Sequence, residues 1–266
     1  MIRPLLIAAL AALAAASAAA ETVAIVHARA HSIAAPVPVD DATILITDGR
    51  IVSLTAGGAV PPGARVIDAG NRPVTPALMS AATQIGLIEV AAASDTMDQS
   101  VGSGPLGAAF DVQYALNANS VLVQQARADG LVRAMSFPGG AATKPFAGQG
   151  ALIRLVPGPS ILDRPKAAMF VVIGGGSSAG AGGSRAAQWV LLRNALDEAK
   201  TYATAPKGSA PRDQLLNRLD IQALAPVLSR AMPLAIATNR ESDIRQAIRL
   251  AADYRIRVVI VGGAEA

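Results

Sequence analysis

The sequence predicts an α/β protein, with a small antiparallel β unit at the front and then a parallel sheet interleaved with helices. Three observations carry this. Residues 21–75 read as short alternating segments broken by Pro and Gly turns. From Pro76 onward, strand-like runs alternate with helical ones. Apolar residues make up 52% of the 266-residue chain and charged residues 16%, which supplies a buried core and argues against wholesale disorder. Strand–helix alternation leaves two architectures open, a doubly wound open sheet and a (β/α) barrel.

The first twenty residues stand apart from the fold. Arg3 gives a positive start, Leu5 to Ala15 is an unbroken apolar run, and Ala18-Ala19-Ala20 precedes Glu21. This is the layout of a secretory signal peptide, so residues 1–20 are expected to direct export to a bacterial periplasm or beyond. The run is short for a membrane span, which needs about 20 residues, and no membrane span is expected after signal removal.

In the front unit, Thr22 to His31 alternates loosely as a half-buried strand. Ala42 to Thr47 is a second strand, Asp48-Gly49 a hairpin turn and Arg50 to Leu54 the return. Pro61-Pro62-Gly63 turns the chain into a short strand at Arg65 to Asp68. In the second part, strands are expected at Leu131 to Phe137, Ala151 to Leu155, Ala168 to Ile173, Leu234 to Thr238 and Val258 to Val261. Helices are expected at Ser184 to Tyr202, Arg212 to Ser229 and Ser242 to Tyr254. The first of these puts Trp189, Leu192, Leu196 and Ala199 on one face, with Ser184 placed to cap it.

Composition excludes several functions. There are no cysteines, hence no disulfide, thiol nucleophile or Cys-bound zinc. The net charge is +4, but the basic residues are scattered and aromatics are only 3%, so no nucleic-acid surface is expected. The glycine-rich stretch Gly174 to Gly183 sits where a phosphate loop would, yet no Lys follows at P-loop spacing. A flexible surface loop is expected there instead.

Two segments carry a family resemblance: Ala42 to Leu54, with its Ile-Thr-Asp-Gly-Arg-Ile core, and Ala64 to Leu78, ending Val-Thr-Pro-Ala-Leu. Together they resemble the N-terminal part of the amidohydrolase superfamily, near its imidazolonepropionase-like branch. Pro233 to Arg240 and Asp243-Ile244 are similar to a later ligand strand and its helix. The resemblance implies a small β-sandwich-like unit over residues 21–75 and a TIM-type (β/α) barrel over residues 76–266. That barrel would be incomplete, because a full one takes about 250 residues, and a late catalytic Asp would lie past Ala266.

It also implies a hydrolase of C–N bonds in small or dipeptide-like substrates, with zinc or another divalent metal. Relatives carry His-x-His at the end of the first barrel strand, where two side chains two apart face the same way. Here those positions hold Ala82 and Gln84; the later strand ends Ala237-Thr238-Asn239, and Arg154 stands where a metal-bridging lysine would be. A guanidinium stays protonated and cannot form a lysine-type carbamate. The two histidines, His27 and His31, lie in the front unit at a spacing of four, so no resident metal is expected.

Glu89, Asp95 and Asp98 follow the first barrel strand, where barrel enzymes put their active-site loops, and are candidate pocket residues. Gly102 to Phe110 is a candidate substrate-proximal loop, and Phe110 to Tyr114 either lines a pocket or packs. The functional expectation is an exported protein with the usual ligands missing. It is either an impaired or divergent hydrolase, or a non-catalytic binding or scaffold protein taking a small-molecule or peptide-like ligand. A truncated reading frame is the third possibility.

Overall fold

The computed structural model describes residues 21–90, 93–140, 144–204 and 215–266. The expected signal peptide and the start of the expected helix at Arg212 fall outside these residues. The chain folds as two compact units, the first ending at Ala77 and the second beginning at Leu78.

The first unit is a five-stranded sheet. β1 (Thr22–Ala30), β2 (Val39–Thr47) and β3 (Arg50–Ala56) form an antiparallel meander. The β2–β3 turn is made by Asp48 and Gly49, both at positive φ, as a tight hairpin of the native twist requires. β4 (Arg65–Asp68) and β5 (Pro73–Val74) pair with the other side of β1 in parallel, so the unit is mixed and not wholly antiparallel. Proximity in sequence does not decide this: the chain crosses over after β3 and returns beside β1 in the same direction. Ala28, Ala30, Ala42, Ile44 and Ala69 form its small core.

His27 sits in a bulge of β1 at φ 51°, with Nδ1 3.1 Å from Asp68 Oδ1. The Gly70 N–H and His27 together hold the Asp68 carboxyl below its usual value. His31, just past β1, donates its backbone N–H to the Val74 carbonyl.

The second unit is built on a barrel-like six-stranded sheet in the order β11-β10-β9-β8-β7-β6. Its strands are β6 (Leu78–Thr83), β7 (Leu131–Ser136), β8 (Gly148–Arg154), β9 (Leu162–Val172), β10 (Leu234–Thr238) and β11 (Val258–Gly262). β6 and β7 are parallel, as are β9, β10 and β11. β8 runs antiparallel to both neighbours, so the expected succession of parallel βα units is interrupted there. The reason is the connection: Pro157-Gly158-Pro159 turns the chain between β8 and β9, and the segment is too short for a parallel crossover.

Among the described residues, four helices accompany the sheet: α1 (Val121–Ala128), α2 (Arg185–Thr204), α3 (Arg218–Leu228) and α4 (Glu241–Tyr254). Ser184 caps α2 as expected, its Oγ accepting the Ala187 N–H at 3.5 Å. α3 starts later than the sequence suggests, because the Asn217 side chain caps it by accepting the Asp220 N–H, and Glu198 takes the N–H groups of Leu215 and Leu216. The glycine-rich stretch is not an irregular loop throughout; Gly175–Ala181 form a 3₁₀ segment.

Period-two alternation separates the faces of the sheet. Met169, Val171, Leu234 and Ile236 pack against Trp189, Leu192, Leu196, Ile221, Leu224 and Leu250 of the helices. Phe170 and Ala235 point the other way, into a cluster with Ala147 and Ala168, and the rings of Phe137 and Phe170 stack at 5.1 Å. The four helical apolar positions predicted on α2 are all buried. Among the described residues, no helix is long and apolar enough to cross a membrane.

On α4, Tyr254 donates its hydroxyl to Asp197 Oδ1 at 2.9 Å and contacts the Arg193 carbonyl at 3.1 Å. Burial, and then the Asp197 carboxylate, push the phenol up from its usual value of 10 to about 12. The fold therefore favours the protonated phenol. Its contribution is fully present below pH 10 and is lost as pH rises toward 12. Urea midpoints at pH 9 and pH 11.5 should fall further for the wild type than for Tyr254→Phe; equal falls would show that the phenol does not contribute.

Candidate functional site

The parallel strands β6, β7, β9, β10 and β11 all point the same way, since β8 reverses direction relative to both β7 and β9. Their C-terminal ends form one edge of the sheet. Ala82 lies in β6 near that edge and Gln84 follows the strand; Ala237 lies in β10 and Asn239 follows it. These four positions therefore share one end of the sheet.

Arg154 does not join them. It is the last residue of the antiparallel β8 and pairs with Arg133 near the start of β7, so it is exposed at the opposite end. The expectation that Arg154 stands beside the other ligand positions is corrected by the direction of its strand. In its place, the N-terminal residues of β8, Gly148 and Gln149, reach that edge.

The residues at that edge suit a metal poorly. Ala82 and Ala237 offer no donor. The Gln84 amide nitrogen lies beside Gly139, 3.2 Å from where a Cβ would stand. Asn239 Oδ1 accepts the Ala264 N–H at 3.4 Å and lies over Gly262, 2.5 Å from where a Cβ would stand, which only a glycine permits. Among the described residues, no three His, Cys, Asp or Glu stand close enough to share a metal ion.

Glu89, Asp95 and Asp98 are brought around one cavity of about 170 Å³, with Thr96 and Asn117. Glu89 Oε1 accepts a hydrogen bond from Asn117 Nδ2. The loop at Gly102 to Phe110 is fixed from below: Asp220 is completely buried, and its Oδ1 accepts the N–H of Gly107 at 2.9 Å and of Ala109 at 2.8 Å. In the next segment Val112 is buried while Tyr114 is exposed.

A second, larger cavity of about 370 Å³ opens at the ends of β9 and β10. Ala237, Thr238 and Asn239 line it, with Gly174, Arg185, Arg240, Asp243 and Glu265. The sequence marks Arg240 and Asp243 only as part of the later strand–helix segment and does not join them to the other charged members, because the four come from three separate stretches. Arg185 opens α2, Asp243 sits in the first turn of α4, Arg240 precedes α4, and Glu265 follows β11. One local signal exists: Arg185, Gln188 and Trp189 are spaced i, i+3, i+4 and share a helix face. The cavity's size and its few convergent polar groups fit a small-molecule site.

No protein-family model matches the chain, and no curated protein matches it. A solved structure of an amidohydrolase from Thermotoga maritima MSB8 is similar to it, with a TM-score of 0.78 and 21% sequence identity. The match covers 92% of this chain and 65% of that one, so the chain spans less than two thirds of its neighbour's length. At this identity the likeness speaks to the fold, and the fold of the chain is amidohydrolase-like.

Proposed function

We propose that the chain is an exported amidohydrolase-like protein that binds a small-molecule or peptide-like ligand at the C-terminal edge of its parallel strands, without a tightly held metal. The observation that carries this is the set at the ends of β6 and β10. Ala82, Gln84, Ala237 and Asn239 supply no imidazole or carboxylate, and Asn239 is turned toward residues 262–264. A hydrolytic zinc site ordinarily takes three protein ligands and a water. Beside Ala237 and Asn239 lies a cavity with preset polar groups, so binding persists where metal-assisted hydrolysis does not. In this reading residues 1–20 are a signal peptide that delivers the protein to the periplasm, and the sheet is a TIM-type barrel modified by β8.

A divergent hydrolase of C–N bonds is the second reading, favoured by the shared cavity of Glu89, Asp95 and Asp98, where carboxylates can act as acid and base. One experiment separates the two. Elemental analysis after dialysis should find no stoichiometric zinc, and an amide and dipeptide screen should show no hydrolysis with or without added zinc. One tightly held metal per chain, or activity that a chelator removes and zinc restores, would overturn the binding-protein reading. Metal-independent hydrolysis lost on Asp95→Asn would favour the carboxylate reading.

A further inference from the structure

The Arg185 side chain pairs with Asp243 and lies over Gly174. Gln188, one turn along α2, accepts the Gly174 N–H at 2.8 Å and donates to the Val172 carbonyl at 3.2 Å, which anchors the helix to the end of β9. Trp189 Nε1 donates to Asp243 Oδ1 at 3.0 Å, and Asp243 Oδ2 lies 3.2 Å from Arg185 Nε. Gly174, at φ 87°, completes the seat. A Cβ there would stand 2.7 Å from Arg185 Nε and 2.9 Å from Nη2, so the guanidinium lies across bare backbone.

Asp243 is only 4% exposed, and its Oδ2 has no aligned hydrogen bond among the described residues beyond this ion contact. The Arg185 side chain, in contrast, is 46% exposed and lines the cavity. The Asp243 contact and the Gly174 seat restrict this side chain, so part of the entropic cost of ordering it against a ligand is already met in the fold.

Arg240 lines the same cavity, is exposed, and has no side-chain hydrogen bond or ion pair among the described residues. The other charges facing the space are engaged. Asp243 is engaged by Arg185 and Trp189, and Glu265 Oε2 accepts the Glu241 N–H at the start of α4 at 3.1 Å. The space thus presents the two guanidinium groups with one exposed acidic neighbour, Glu265.

We infer that this cavity is a carboxylate-binding site in which Arg185 and Arg240 hold the anion and Asp243 positions Arg185. The inference deepens the reading of the cavity as a ligand site and rests on it. Guanidinium N–H forks match a carboxylate's two oxygens. Two arginines against two carboxylates leave the lining with no net charge. With the lining neutral overall, a small monocarboxylate leaves less excess negative charge in the space than a dianion such as phosphate would.

The protein carries its own reporter. Trp189 is the only tryptophan, and its indole N–H is bonded to the residue that holds Arg185. In the full chain, N-acetylglycine should shift the indole ¹⁵N–¹H resonance saturably, with a dissociation constant of roughly millimolar order for so small a probe. The neutral isostere N-acetylglycinamide should not, and inorganic phosphate should act more weakly.

Arg240→Gln changes an exposed side chain, so it should fold normally and weaken N-acetylglycine binding about tenfold, the loss of one charge-assisted contact. Asp243→Asn should weaken it too, and Arg185→Lys should bind more weakly than wild type, because an ammonium lacks the fork. An equal response to the neutral amide would overturn the carboxylate inference while leaving the cavity a ligand site. Tighter binding of phosphate, no response to N-acetylglycine, or an unchanged affinity in Arg240→Gln would overturn it as well. Stoichiometric zinc in the dialysed protein would instead bring down the underlying reading, through a measurement this titration does not share.

Discussion

Asp220→Ala should lower the melting temperature of the chain more than any surface change. The Asp220 carboxylate is completely buried and holds the N–H groups of Gly107 and Ala109, while its Oδ2 accepts from Asn217 Nδ2 at 2.9 Å. Asn217 Nδ2 also reaches the Pro105 carbonyl at 2.6 Å, so one pair of side chains at the start of α3 ties down the loop 105–109. Alanine leaves two backbone donors unmade.

The expected loss is about 4 kcal/mol, at roughly 2 kcal/mol for each hydrogen bond to a charged group. For a domain of this size that is about 12 °C, at roughly 3 °C per kcal/mol. Asp220→Asn should lose less, because its amide oxygen can still accept the two backbone N–H groups, although its nitrogen then faces Asn217 Nδ2. A thermal scan of the three proteins checks this. If Asp220→Ala melts within about 2 °C of wild type, the loop is held by something other than Asp220.

Gly148→Ala should be the second severe change. Gly148 opens β8 at φ 132°, and a Cβ there would meet the Phe110 carbonyl oxygen at 2.6 Å and the Phe110 ring at 2.9 Å. The close approach serves the fold, since the next residue, Gln149, donates its N–H to that same carbonyl at 2.7 Å. Alanine combines roughly 1 kcal/mol of backbone strain with roughly 2 kcal/mol of overpacking, about 3 kcal/mol in all.

Gly158→Ala is the internal control. It shares a positive φ, here 150°, but has no atom within 4 Å of its added Cβ, so it isolates strain from contact. Urea denaturation should place Gly148→Ala well below Gly158→Ala. Coincident midpoints would mean that the Phe110 contact relaxes at no cost.

Much of the scaffold is legible in the sequence because the signals are local. The alternation at Ala168 to Ile173 and at Leu234 to Thr238 assigns both strands, and the same alternation explains why Met169 faces helices while Phe170 faces inward. The Asp48-Gly49 turn follows from the two residues themselves, and the face of α2 from the spacing of Trp189, Leu192, Leu196 and Ala199. The chemistry of the strand ends is also legible: Ala82, Gln84, Ala237 and Asn239 are what they are whatever the fold does with them. The structure places these four at one edge and Glu89, Asp95 and Asp98 around one cavity.

Strand direction is decided only by tertiary structure. A period of two tells which side chains share a face but not which way a strand runs, so from sequence β8 reads as one more parallel strand and Arg154 falls at the wrong end. The brevity of the Pro157-Gly158-Pro159 connection is the available clue. β4 is read from the sequence as a strand, but its parallel direction beside β1 escapes that reading for the same reason. The spacing of Arg185 and Trp189 puts both on one face of α2, but nothing in the sequence joins them to Asp243, which meets them only when α2 and α4 pack on the same face of β9 and β10. Local spacing determined the elements and the residue types at their ends. Pairing direction and the meeting of distant charges were set by burial of the shared apolar core, which depends on the whole chain at once.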